Sequence, residues 1–292
     1  MSLLKALDVD VADPGATAPR TRVLRAVRAG LARPGLVLAW LIVLVVIGWA
    51  LAPSWFTGSS PLDGDPDSGF LPPSFTHPFG TDRLGRDLLA RAIYGTSTTL
   101  GATLLAVAIG FLIGSAIGLL SGIIGGRPDA AVMRCVDVLL SIPALLLAMT
   151  VVTALGYGTV NIAVAVGTSA VASFARVMRS QVLTVAGSDF VAAAYGSGAG
   201  FVRVVLRHVL PNSIQAVLSL AALECGSAVL AVAALGFLGY GAPPPQPEWG
   251  LAVAEGRDFL ATYPWIALCP GVLIAVAVLS VNRIGRALGE RR

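Results

Sequence analysis

An all-α, polytopic membrane protein with six transmembrane helices is the fold class that this 292-residue sequence predicts, on three observations. Hydrophobic side chains make up 56% of it and charged ones 12%, against about 25% charged in soluble domains. Apolar runs recur along the chain, each near the roughly 20 residues that a helix needs to cross hydrocarbon. Arginines flank those runs and fall mostly on one side of them. With a mean hydropathy of +0.82, the composition excludes a disordered chain, a collagen-like repeat and an ordinary cytosolic enzyme.

The predicted spans are residues 36–52, 100–124, 132–155, 160–177, 214–238 and 266–281. The first ends on Ala50-Leu51-Ala52, the small-x-small form of a signal-peptide cut. Its charged leader is too long for one and Pro53 would stand at the cut, so an uncleaved helix is expected. With the N-terminus placed in the cytoplasm, sixteen of the 20 Lys and Arg residues lie inside and four, Arg83, Arg86, Arg91 and Arg257, lie outside. The positive-inside rule then makes both termini cytoplasmic. The expected organisation is a cytoplasmic segment 1–35, a first span 36–52, an extracytoplasmic loop and amphipathic segment 53–96, a five-helix core 97–283 that includes a cytoplasmic connection 184–211, and a cytoplasmic tail 284–292.

In the second span Gly110, Gly114, Gly118 and Gly122, followed by Gly126, make consecutive GxxxG steps on one helix face, which let another backbone approach closely in lipid. Pro143 is expected to kink the third span, because it removes a backbone bond and clashes with the preceding turn. Two acids stand within or beside spans, where charge is expensive and marks pathway candidates. Asp137 has Arg134 one turn back, and an intrahelical pair is expected. Glu224 has no sequence-local partner; lining the path, bonding a partner chain and protonation all stay open for it. Trp249 and Trp265 are expected as interface anchors.

The excess of four positive charges is not clustered, so nucleic acid is not an expected partner. Lys5 is the only lysine, which excludes a phosphate-binding loop of the Walker type in this chain. The three cysteines, Cys135, Cys225 and Cys269, have neither metal-ligand spacing nor an even count and read as small apolar fillers. No catalytic, metal or cofactor-binding residue is assigned.

The connection from Asp189 to Asn212 is too polar to span and too patterned for a linker. Gly196, Gly198 and Gly200 should break a short helix. Phe201, Val204, Val205 and Val209 then restart an amphipathic one, with Arg203 and Arg207 on its other face. Pro211 should force Leu210 out of the helical region and open the fifth span. The result is a helix-turn-helix lying on the cytoplasmic surface.

Ala193-Ala194, three residues, Gly198, nine residues and His208-x-Leu210-Pro211 resemble the EAA loop of ABC importer permeases, the segment that docks into the ATPase subunit. The usual Glu is Ala192 here, with Asp189 a candidate substitute, and the usual Ile is His208. Further blocks, His77-Pro78-Phe79-Gly80-Thr81-Asp82, Ser141-Ile142-Pro143-Ala144, Arg207 to Asn212 and Pro245-Gln246-Pro247-Glu248-Trp249-Gly250, resemble the C-type permease of dipeptide, oligopeptide and nickel importers. The ending Arg283 to Arg286 departs from that family's more acidic one.

The resemblance implies the type I permease fold of ABC importers in the bacterial inner membrane. It implies a heterodimer with a homologous B-type permease, two ATPase subunits or one fused ATPase, and an extracytoplasmic solute-binding protein. ATP and Mg would be held by the ATPase partners and no cofactor by this chain. Asp189, Ala193, Ala194, Gly198, Phe201, Arg203, Arg207, Leu210 and Pro211 would couple to the ATPase, and Glu224 and Pro143 are candidates for the translocation path. The expected cargo is a short peptide, with nickel or another metal complex the alternative. An ATP-independent channel or secondary transporter would need coupling charges that this chain supplies poorly. His77 and Asp82 form an H-x4-D pair suited to acyl transfer, but no second catalytic block follows.

Overall fold

The computed structural model describes residues 34–289. Five helices in it are long and apolar enough to cross a membrane, and a sharply bent pair makes a sixth candidate. In chain order the helices are α1 (Pro34–Leu51), α2 (Leu88–Ile124), α3 (Gly126–Ser141), α4 (Ala144–Leu155), α5 (Thr159–Ala186), α6 (Asp189–Gly196), α7 (Phe201–Phe237), α8 (Trp249–Gly256) and α9 (Trp265–Gly289). The described residues form no strand beyond an isolated bridge between Thr81 and Asp87. Of the expected N-terminal segment 1–35 and tail 284–292, residues 1–33 and 290–292 lie outside the described residues.

At 37 residues, α2 is roughly 55 Å long, well beyond the roughly 30 Å of hydrocarbon. The amphipathic segment placed before the second span is therefore the start of α2 itself. Asp87 caps it, accepting from the Ala90 amide at 2.7 Å, and the other carboxylate oxygen meets His77 Nδ1 at 2.8 Å. Cap and histidine together seat the 53–87 segment on the helix end.

The centre of the molecule is the pairing of α2 with α5. A Cβ at Gly114 would stand 2.5 Å from the Val171 carbonyl oxygen and 2.6 Å from Phe174 Cβ; one at Gly118 would collide with the Ala175 carbonyl and Met178. Gly110 and Gly122 face Ala170, Phe174 and Val182 in the same way. These backbones touch because no side chain holds them apart. Gly126 does not continue the row: Gly125 and Gly126 both have φ of +64°, which ends α2 and turns the chain into α3. Around this seam Val152 of α4, Phe174 and Met178 of α5, and Val217, Val232 and Leu235 of α7 form the main core. α1 and α9 pack at its flank through Leu36, Ala39 and Ile284 and through Val46, Ile274 and Ala277.

The third span is bent more than a proline kink requires. α3 and α4 meet at 95°, with Ile142 extended (φ −88°, ψ 129°) and Pro143 (φ −54°, ψ 126°) the non-helical residue that caps the new helix. The residue before a proline is driven from the helical region, and here both i→i−4 bonding and direction change at that point.

The opposite outcome holds at Pro211. Leu210 is helical (φ −59°, ψ −49°), and α7 runs unbroken from Phe201. The relief is a π turn at Val205–Val209, where the Leu210 amide donates to the Val205 carbonyl five residues back. The wider turn accommodates the ring and the missing amide, and Asn212 Nδ2 donates to the His208 carbonyl at 2.6 Å. Pro211 does not open the fifth span; it lies inside it.

Two further expectations are corrected. Asp137 pairs with Arg176 of α5 and not with Arg134, because the α3–α5 contact presents a guanidinium across the helix pair. Trp249 is no interface anchor: it is 1% exposed, its indole N–H donating to the Ala92 carbonyl at 3.0 Å in the α2–α8 contact.

Candidate docking surface and translocation path

At one end of the bundle α5 stops at Ala186, α6 crosses, and residues 197–200 turn the chain into α7. Gly198 takes φ of +84°, which glycine adopts without strain. Val191 of α6 and Val204 and Val209 of α7 reach into the core and pin the element to the bundle. Its other side is bare. Phe190, Tyr195, Phe201, Val202 and Leu206 are all exposed, Phe201 at 57% and Val202 at 65%. Of the apolar residues expected on one face of this helix, Val204 and Val209 are buried in the bundle and Phe201 is exposed. Asp189, Ala193, Arg203 and Arg207 are exposed beside this apolar strip, Ala194 and Leu210 are partly covered, and Pro211 is exposed on the first turn beyond. Arg203 and Arg207 make no ion pair among the described residues.

Halfway through the bundle, Glu224 of α7 is partly buried in a cavity of about 290 Å³ with Ser227, Ser169 and Ser173. A second cavity of about 380 Å³ lies beneath Pro143 and also contains Ser141. Ala144, Ser169 and Ser173 line both. The structure therefore brings Glu224 and Pro143, 81 positions apart in the sequence, to neighbouring hollows joined by the serines of α5.

At the opposite end, sequence reading missed an ionic cluster. Arg86 Nε donates to Asp82 Oδ2 at 2.6 Å, and an Arg91 terminal nitrogen meets Glu255 Oε2 at 2.8 Å. Arg91 also donates to the Pro61 carbonyl at 3.2 Å. The signal lay in the Asp82-to-Arg91 charges and Glu255, but no local rule joins partners 164 positions apart. Beside it Glu248 is 3% exposed and accepts from the Gly250 and Leu251 amides at 2.9 and 2.8 Å. Burial holds its carboxyl above the usual carboxylate range, against the pull of those amides and of Thr99. A concavity of about 750 Å³ opens here, lined in part by Arg83, Arg257, Asp258, Phe237 and Pro244. His77, bound to Asp87, and Asp82, bound to Arg86, are drawn to different partners, so the H-x4-D pair is not a catalytic couple.

Residues 114–292 match the family described as binding-protein-dependent transport system inner membrane component. Among curated relatives, a protein named as a probable D,D-dipeptide transport system permease of Escherichia coli (strain K12) is 39% identical over 252 residues, covering 86% of this chain and 84% of that one. A nickel transport system permease protein of the same organism is 36% identical over 253 residues, covering 87% and 91%. Among solved structures, a methionine ABC transporter in inward-facing conformations superposes with a TM-score of 0.54 at 21% identity, over 69% of this chain and 96% of that one. The fold is that of an ABC importer permease, and the chain belongs to the binding-protein-dependent inner-membrane component family as a multi-pass permease subunit of an ABC importer.

Proposed function

We propose that this chain forms half of a translocation path for short peptides and draws its driving force from ATPase subunits that grip the 189–211 element from the cytoplasm. The observation that carries the reading is the exposed apolar strip of Phe190, Tyr195, Phe201, Val202 and Leu206 on an element pinned to the core by Val191, Val204 and Val209. Apolar area of this kind on a rigid base suits a partner groove. Phe201 to Leu210 continue into α7 as one helix, so a push on the surface is delivered along the span that carries Glu224. Asp189, Ala193, Ala194, Gly198, Arg203, Arg207 and Pro211 supply the polar and backbone edge of the grip.

The positive-inside count supports this end as cytoplasmic. The other half of the path comes from a homologous B-type permease, and a solute-binding protein delivers cargo at the end bearing the Arg83–Asp258 concavity. ATP and Mg belong to the ATPase partners. Closure of the ATPase pair moves the gripped element, and the spans rock on the glycine seam between inward- and outward-facing states. Peptide cargo is favoured by the 39%-identical dipeptide relative; the 36%-identical nickel relative supports nickel as the second reading.

The test is reconstitution of this chain with its neighbouring permease, ATPases and binding protein in vesicles. ATP-driven accumulation of a dipeptide, lost when the ATPase is left out, is the expected result. Accumulation without ATP overturns the reading, and accumulation of nickel alone transfers it to the second cargo.

A further inference from the structure

Among the described residues, the acids of the candidate spans and of the outer ionic cluster find partners with one exception. Asp129 meets Arg179, Asp137 meets Arg176, Glu255 meets Arg91, and Glu248 is held by backbone amides. Glu224 makes no hydrogen bond and no ion pair among the described residues. A carboxylate in the middle of a span is costly without a partner, so its partner is expected to arrive from outside the chain. The surroundings narrow what that partner is. The hydroxyls of Ser227, Ser169 and Ser173 share the cavity, no Arg, Lys or His lines it, and its remaining walls are Ala and Val. One carboxylate with several hydroxyl acceptors fits a primary ammonium, which donates three hydrogen bonds. It fits a transition metal poorly, since such an ion asks for imidazole or thiolate, and among the described residues no three His, Cys, Asp or Glu converge.

We propose that Glu224, with Ser169, Ser173 and Ser227, is an ammonium subsite in the path wall that takes the protonated α-amine of the cargo as it passes. The cavity beneath Pro143, which shares Ala144, Ser169 and Ser173 with this one, gives the rest of the cargo somewhere to lie. The inference rests on the peptide-permease reading and adds the group by which the path holds its cargo.

The test uses the whole complex of both permeases and the ATPases in lipid nanodiscs, without the binding protein, with alanyl-alanine and N-acetyl-alanyl-alanine as probes. The wild-type complex should bind the free-amine probe more tightly. Glu224→Gln should weaken that binding by about tenfold, the worth of a charged hydrogen bond, and leave the acetylated probe unchanged. Equal loss for both probes, no loss for either, or no binding of the free amine to wild type overturns the subsite. Should the Gln variant fail to assemble, Ser173→Ala and Ser227→Ala carry the same comparison, with a loss of a few-fold confined to the free amine. ATP-driven uptake by the wild-type complex with its binding protein is measured alongside: uptake without an amine effect rejects the subsite alone, whereas absent uptake rejects the transport reading beneath it.

Discussion

Arg179 on α5 grips Asp129 on α3 with both ends of its fork, Nε 2.6 Å from Oδ1 and a terminal nitrogen 2.5 Å from Oδ2, while Ser121 of α2 donates to the same carboxylate. Three helices are thereby tied at one point, on the side of the bundle that carries the 189–211 element. The bidentate form gives geometric definition as well as energy. Asp129 is 7% exposed, whereas the Asp137 and Arg176 side chains are more than half exposed.

Asp129→Asn should therefore cost about 2 kcal/mol of stability, since it turns an amide against the guanidinium in a largely buried site. Asp137→Asn should cost about 0.5 kcal/mol or less, as for surface pairs in general. Thermal unfolding of the purified complex separates them, and equal losses would remove the special place given to Asp129.

A second contrast lies within α2. At Gly118 an added Cβ would meet the Ala175 carbonyl and Met178, and at Gly101 it would meet nothing within 4 Å. Gly118→Ala should destabilise by about 1–3 kcal/mol through forced separation of the helices. Gly101→Ala should be neutral or stabilising by up to about 1 kcal/mol, from helix propensity. The opposite signs, read as melting temperatures, test the seam; two similar shifts would contradict it.

The spans were legible because hydrocarbon imposes length and apolarity on any helix that crosses it. Where the reading failed, a distant residue or an alternative local geometry outweighed the local cue. Arg134 is three residues from Asp137 and was the natural partner on one helix, but Arg176 comes from α5. Trp249 carries the residue type of an interface anchor, and the Ala92 carbonyl that buries it is 157 positions away. Pro211 signals a helix break, and a single i→i+5 turn removes the need for one. Of the site, the 189–211 pattern was visible because its glycines and proline are local signals. The juxtaposition of Glu224 with Pro143 depends on α4, α5 and α7 meeting, which no spacing encodes.

Glu248 makes a prediction in pH. Its carboxyl is raised by burial, so the folded protein holds the proton to higher pH than the unfolded chain does. Between the ordinary carboxylate pKa and the raised folded value the native state binds more protons, and stability falls as pH rises through that window, then levels. Glu248→Gln should remove this slope and lower stability at every pH by about 1–3 kcal/mol, because one amide donor then faces an NH2 group. Melting temperature against pH for the two proteins checks it; parallel curves would show that Glu248 does not titrate in that window.

The docking role can be tested without unfolding anything. Gly198 has φ of +84° and open space around it, and Arg207 is exposed without an ion pair among the described residues, so neither side chain supports the fold by contact. Asparagine tolerates the left-handed region better than other residues do, at a cost of about 1 kcal/mol. Gly198→Asn should therefore retain most ATP-driven uptake, whereas Gly198→Trp, which fills the surface a partner would cover, should lose it by at least about tenfold, the effect of about 1.4 kcal/mol on docking. Arg207→Glu should do the same by reversing charge at the edge of the apolar strip. In both losing variants the membrane content of the chain should stay near that of the wild type. The melting temperature should be unchanged in Arg207→Glu and lowered in Gly198→Trp only by the effect of about 1–2 kcal/mol of left-handed backbone strain. ATP hydrolysis should no longer follow cargo. Normal uptake in Gly198→Trp and Arg207→Glu together would mean that the ATPase grips some other surface.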